Sequence, residues 1–228
     1  MCTRYIPPTV AALERHWHIG RQAPNRWWDK AMHPLQDGPF VMAGMALQWG
    51  QWGLIPPGSA TRVPALPGGK RLSTVNARAE RVATAPSYRE AWRLGQRCLI
   101  PAQSFDEPNW SSGRNVWWRF SRPDGAPLAL AGLWSRWADP ANGELVHSFT
   151  MLTQNCDAHP VLKHMHKPDT KLPADSQDKR TVVALERSDW VTWLEGSTAQ
   201  ASALVRLPGP DYYLAQAAQA GPQEVGLF

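Results

Sequence analysis

A mixed α+β fold built around antiparallel strands is the fold class that this sequence predicts, and three observations carry the prediction. Short apolar stretches of strand character recur through the middle of the chain, separated by turn clusters such as RPDGAP (122–127) and DPANG (139–143). Only a few segments show the 3.6-residue apolar period of a helix. The 21 Pro and 17 Gly interrupt the chain often enough to make it rich in turns and irregular connections.

Taken in order, Thr9–His18 places Val10, Leu13 and Trp17 at helical spacing behind Thr9 as a cap. From Phe40 to Leu54 the pattern is strand-like and runs into a Pro/Gly-rich loop from Pro56 to Gly69. Tyr88–Leu94 reads as a short helix and Arg97–Ala102 as an apolar, buried strand. Val116–Ser121, Leu128–Leu133 and Val146–Thr153 then form a β-meander, because a turn cluster separates each from the next. Thr181–Leu185 reads as a strand, Ser188–Leu194 as a helix capped by Ser188, and Ala203–Leu207 as extended chain. The strand count and spacing allow the sheet to curl into a barrel.

The 228 residues suit one well-cored domain, and an apolar share of 43% argues against disorder. Arg4, Glu14, Arg15 and Arg21 interrupt the first thirty residues, which excludes an ordinary signal peptide, and no later segment is apolar for long enough to span a bilayer. Cys2, Cys98 and Cys156 are odd in number and far apart, so neither a disulfide framework nor a CxxC zinc site is expected. A reducing, cytoplasmic setting fits these features. The net charge of +5 and pI near 9.4 are compatible with a polyanionic partner, and the 13 tryptophans serve equally as core filling and as platforms for bases.

Cys2 has a chemical possibility attached to its position. Trimming of Met1, normal when the second residue is small, would leave an amine and a thiol on adjacent carbons. Such an aminothiol condenses with an aldehyde as a Schiff base, which the thiol closes to a five-membered thiazolidine. By position alone, Cys2 is otherwise an unremarkable second residue. Asn76 and Arg78, two apart, share one side of an extended backbone and could hold an oxygen-rich ligand; alternatively Asn76 caps Ala77–Val82. Glu107, after a strand and before Pro108, is either a general acid/base at a strand end or a surface carboxylate of a hairpin. His159, His164 and His166 offer imidazoles of near-neutral pKa. No second ligand cluster completes a metal site with them, no GxSxG elbow appears, and no phosphate-binding glycine loop is present.

In this order, MCTRY (1–5), WGLIP (52–56), NARAE (76–80), RCLIPAQSFDEP (97–108), LAGLW (130–134), TMLTQN (150–155) and HPVLKHMHKP (159–168) resemble the SOS-response-associated peptidase family, the abasic-site processing proteins. The resemblance implies a single domain over 2–195 with a central distorted antiparallel β-barrel flanked by short helices, followed by a C-terminal extension, 196–228, packed on it or trailing from it. It implies crosslinking to abasic sites in single-stranded DNA through Cys2 after loss of Met1, with removal of that Met and reversal of the crosslink as associated activities. It further implies no cofactor, no metal, no membrane partner and a monomer. Carried over by residue, the nucleophile is Cys2. Asn76 would position the sugar or the amine, Glu107 would act as acid/base, and His166 would be the histidine, ahead of His164 and His159. Arg4 and Arg78 would grip phosphates.

The departures from the family pattern are Thr3 in place of a glycine, an added stretch Lys167–Lys179 before the strand resumes at Arg180, and Gly58 and Pro108 where relatives carry tryptophans that stack on bases. Trp110 is the expected stand-in for the second of these. Two other readings use the same residues: an N-terminal-nucleophile thiol peptidase or amidohydrolase acting on other substrates, and a non-covalent single-strand binder.

Overall fold

The computed structural model describes residues 1–19 and 31–218. Along the chain these form β1 (Tyr5–Ile6), α1 (Val10–Trp17), β2 (Asp37–Met42), β3 (Ala46–Trp52), β4 (Asn76–Arg78), α2 (Arg89–Arg93), β5 (Arg97–Ala102), β6 (Ser104–Asn109) and β7 (Val116–Ser121). β8 (Leu128–Ala138), β9 (Leu145–Asn155), β10 (Arg180–Val182), β11 (Ala184–Leu185), α3 (Trp190–Glu195), α4 (Thr198–Ala203) and β12 (Leu214–Ala217) follow. No helix among the described residues is long and apolar enough to cross a membrane.

The centre is a closed five-stranded barrel in the cyclic order β9, β3, β2, β5, β8. Four of its joints are antiparallel, and the fifth, between β3 and β9, is parallel. An odd number of strands cannot alternate direction all the way round, so one parallel joint is a geometric necessity. The barrel is covered on the outside, which explains why RCLIPA reads as a continuous apolar run: Cys98, Ile100 and Ala102 pack in one cluster with Phe40, Trp52, Phe149 and Met151. Leu99, between them, packs in another with Ala131, Leu133, Trp193 and Leu194. The interior is narrow. A Cβ at Gly132 would lie 2.7 Å from the Thr150 carbonyl oxygen and 2.9 Å from Cys98 Sγ, so LAGLW needs its glycine for close approach.

A second, four-stranded sheet in the order β1, β6, β7, β12 lies beside the barrel. One face is apolar, with Phe105 stacked on Phe120 at 5.1 Å and Tyr213 edge-on to both. Tyr5 of β1 meets Trp52 of β3 edge-to-face at 5.1 Å, which ties the N-terminal strand to the barrel. α1 begins where its cap predicts: Thr9 Oγ1 accepts the Ala12 amide at 3.2 Å, an interaction of about 1 kcal/mol.

The structure corrects several sequence expectations. The strand-like stretch from Phe40 divides into β2 and β3 at a tight turn in which Gly44 and Met45 adopt positive φ. Ser188 lies in a short 3₁₀ turn, and the α3 cap position falls one residue later, on Asp189, with no side-chain cap bond. Ala203 closes α4, entered through a Ser197–Gln200 capping box, so 203–207 is not a strand. Residues 219–228 of the C-terminal extension lie outside the described residues, while 214–217 pair with β7.

Candidate functional site

β6 positions the chemistry by simple alternation. Successive side chains of a strand point to opposite faces, so the adjacent carboxylates Asp106 and Glu107 are separated by the sheet itself. Glu107 therefore sits within a strand, not at the hairpin end that its neighbour Pro108 suggests. β1 covers only Ser104 and Phe105, and Asp106 donates its amide to Arg4 just beyond. The missing N–H of Pro108 falls on the side that β1 has left, where proline costs no ladder bond.

Glu107 is 2% exposed and neither carboxyl oxygen accepts a hydrogen bond. Burial, reinforced by Asp106, raises its pKa to about 7, against the lowering effect of the N-terminal amine. His166 Nε2 lies 3.1 Å from Glu107 Oε2. Burial, with the N-terminal amine and Lys179 beside it, pushes His166 down to about 3, so the ring is neutral and available as an acceptor. The Met1 amine lies 2.8 Å from His166 Nε2.

Cys2 is fully buried at the same place. Asn76, on β4, donates Nδ2 to the Cys2 carbonyl at 2.7 Å, while Cys2 Sγ donates to the Arg4 carbonyl at 3.4 Å. Burial and the Glu107 charge raise the thiol pKa well above its ordinary value, so deprotonation of Sγ needs a neighbouring base. The alternative reading of Asn76 as a cap is set aside by this bond: the 3₁₀ turn at Ala79–Arg81 takes Arg78 as its cap residue and has no side-chain cap bond.

The three histidines separate cleanly. His159 is buried and its Nδ1 accepts the amides of Val161 and Leu162, a turn-forming role. His164 is exposed. His166 has φ 63, rare for a residue with a Cβ, and is clamped there by its amide bonding to the Pro108 carbonyl at 2.7 Å and by Lys179 Nζ on its own carbonyl at 2.6 Å. Beside it opens a cleft of about 660 Å³, lined by Trp110, Lys163, His164, His166 and Lys179 among others.

Arg4 and Arg78 are not free cations. Arg4 Nε lies 3.4 Å from buried Asp106, which also binds Arg119 bidentately at 2.8 and 2.9 Å. Arg78, half-exposed, pairs with Asp178 at 2.6 Å, at the end of the added stretch, within a network that includes Glu80 and Arg180. Trp110 lines the cleft beside His166, with Lys167 5.7 Å from its ring. Asp106, Arg119, Asp178 and Lys179 were not singled out by sequence, since each acts through a partner on a strand or loop distant in the chain. The one available signal was Asp106 standing next to Glu107. Among the described residues no group of three His, Cys, Asp or Glu could hold a metal ion.

A family model described as SOS response associated peptidase (SRAP) matches residues 1–219. A protein of Bordetella bronchiseptica with a crystal structure is 31% identical, with a TM-score of 0.80 over 96% of this chain and 100% of that one. A protein of Bacteroides thetaiotaomicron is 18% identical at TM-score 0.75, over 96% of this chain and 92% of its own. A phage-related protein of Bordetella bronchiseptica is 22% identical at TM-score 0.62, over 99% and 96%. The last two likenesses speak to the fold alone. No curated protein matches the sequence.

Proposed function

Because the chain belongs to the SOS response associated peptidase family, we propose that it captures abasic sites in single-stranded DNA through Cys2, as a thiazolidine formed once Met1 has been removed. Family membership supports a DNA-damage-associated function and a peptidase-like or DNA-crosslinking role. The finer reading is carried by one observation: Asn76 holds the N-terminal backbone at the Cys2 carbonyl, with the first amine against His166 and a buried, unsatisfied Glu107.

The chemistry balances with these groups alone. Hydrolysis of the Met1–Cys2 peptide bond consumes one water and releases methionine, leaving the Cys2 amine in the pocket. That amine adds to the aldehyde of the ring-opened sugar, and the resulting carbinolamine loses its hydroxyl as water when Glu107 delivers a proton. The Glu107 carboxylate then accepts the thiol proton as Sγ closes on the carbon of the protonated imine, which restores the acid and leaves the ring nitrogen a neutral secondary amine. One water is lost overall and nothing is oxidised. A carboxyl group with a pKa of about 7 can serve in both directions near neutrality. Neutral His166 would accept from the amine and keep its lone pair turned toward the aldehyde.

Mixing the protein with a single-stranded oligonucleotide that carries one abasic site tests this directly. The expected outcome is a band that survives denaturation without any added reductant, absent for Cys2→Ala. Turnover of acyl substrates with no DNA band would instead favour the thiol amidohydrolase reading. Equal, reversible binding of intact and abasic strands would favour a plain binder.

A further inference from the structure

The face of the second sheet opposite Glu107 carries an unusual set of side chains. Trp117 on β7 is 40% exposed, and no other Trp, Tyr or Phe among the described residues is exposed to that degree. Two residues on, and therefore on the same face about 6.6 Å away, stands Arg119. Across β6 the buried Asp106 holds both the Arg119 and the Arg4 guanidinium, while Pro108 lies directly opposite Trp117. Asp106 occupies only Nε and one Nη of Arg119, and the buried Nε of Arg4 makes no hydrogen bond.

We infer that this face is the bed for the strand leading away from the Cys2 site, with Trp117 stacking on a base and Arg119 and Arg4 holding the adjoining phosphates. The inference rests on the single-stranded DNA reading given above. Charge complementarity selects the occupant: two guanidiniums share one carboxylate, so the row keeps positive charge. A fixed planar fork beside a flat, exposed indole suits a phosphate beside a base. Continuity selects the path. Arg4 is two residues from Cys2, and Pro108 follows Glu107 and accepts the His166 amide on its carbonyl. Trp110, by contrast, faces the cleft on the Lys167 side, so Trp117 is the stacking residue on this path.

The test reads affinity and capture separately on the same samples. Binding of an intact single-stranded oligonucleotide is followed by fluorescence anisotropy at several salt concentrations, and crosslinking of its abasic counterpart by denaturing gel. Trp117→Leu is expected to weaken binding of the intact strand about tenfold and Trp117→Phe by much less, which separates stacking from bulk apolar contact. Arg119→Gln is expected to lower the salt slope by about 0.7, one phosphate contact on a single strand. Unchanged affinity in Trp117→Leu, or equal losses in Leu and Phe, overturns the inference even if wild type crosslinks normally. Absence of any crosslink with wild type overturns the abasic-capture reading, while the anisotropy still decides the inference; failure of wild type to bind the intact strand overturns the inference as well.

Discussion

Asp106 and Glu107 are neighbours in the chain, equally buried, and opposite in condition. Asp106 accepts two hydrogen bonds from Arg119 and has Arg4 beside it, so its charge is matched on its own face of the sheet. Glu107 has no hydrogen-bond donor and a pKa raised to about 7. A buried carboxylate that is fully partnered organises structure, whereas one left unpartnered is costly and persists where its proton is used. One strand thus presents a scaffold carboxylate outward and a reactive one to Cys2, by nothing more than a period of two.

The contrast can be broken from either side. The largest effect is expected for Glu107→Gln, which keeps the shape and removes the proton donor: the crosslinking rate should fall by about 10² to 10⁴ with no loss of folding stability. Measured against pH, the residual rate of that variant should also lack the alkaline decline that Glu107 imposes near pH 7 in the wild type, since the carbinolamine step needs the protonated acid.

Next in size is a stability effect with a definite sign. The folded pKa of Glu107 lies above its unfolded value, so the folded state holds a proton that the unfolded state has released. Wild type should therefore lose stability relative to Glu107→Gln as pH rises from about 4.5 to about 7, by about 3 kcal/mol in total. Denaturant unfolding at pH 4.5 and pH 8 measures it; a constant difference between the two proteins would contradict the assignment.

Asp106→Asn should do the reverse of Glu107→Gln. It leaves two guanidiniums without their carboxylate, at a cost of about 2 kcal/mol, less than a fully buried pair because both arginines reach solvent. Its crosslinking rate under folding conditions should fall less than tenfold. The smallest change is expected for Asn76→Ala, which frees the Cys2 carbonyl: about tenfold in rate and about 1 kcal/mol in stability, by stopped reaction and thermal unfolding respectively.

How much of this was legible in the sequence depends on what each feature is made from. β5, β8 and β9 could be read directly, because a barrel strand covered on both sides writes a continuous apolar run and its turns carry Pro, Gly, Asn and Asp. β7 was legible as a strand, but the expected β-meander from it into β8 does not form, since β7 pairs with β6 and β12 in the second sheet. β1, β4 and β12 could not be read, being two to four residues long and held by partners remote in sequence. LAQA of β12 has no strand character of its own; backbone pairing with Ser121 to Trp118 makes it one. In the site, Cys2, Asn76, Glu107 and His166 were reachable through the family motifs, and the structure brings them together. The pairing of Asp106 with Arg119, of Arg78 with Asp178 and of Lys179 with the His166 carbonyl was not, since sequence spacing says nothing about which side chains face one another across strands. Trp110 and Trp117 show the same limit, because strand register and loop path decide which indole is exposed on a sheet face and which lines the cleft beside His166.

The most direct measurement of the central claim is the intact mass of the adduct between wild-type protein and an abasic single-stranded oligonucleotide, with digestion to locate the attachment. The account predicts the mass of the chain without Met1 plus that of the oligonucleotide, less one water, with the modification on the peptide that begins at Cys2. An adduct that retains Met1, or one attached at Lys179 or any other residue, would contradict it.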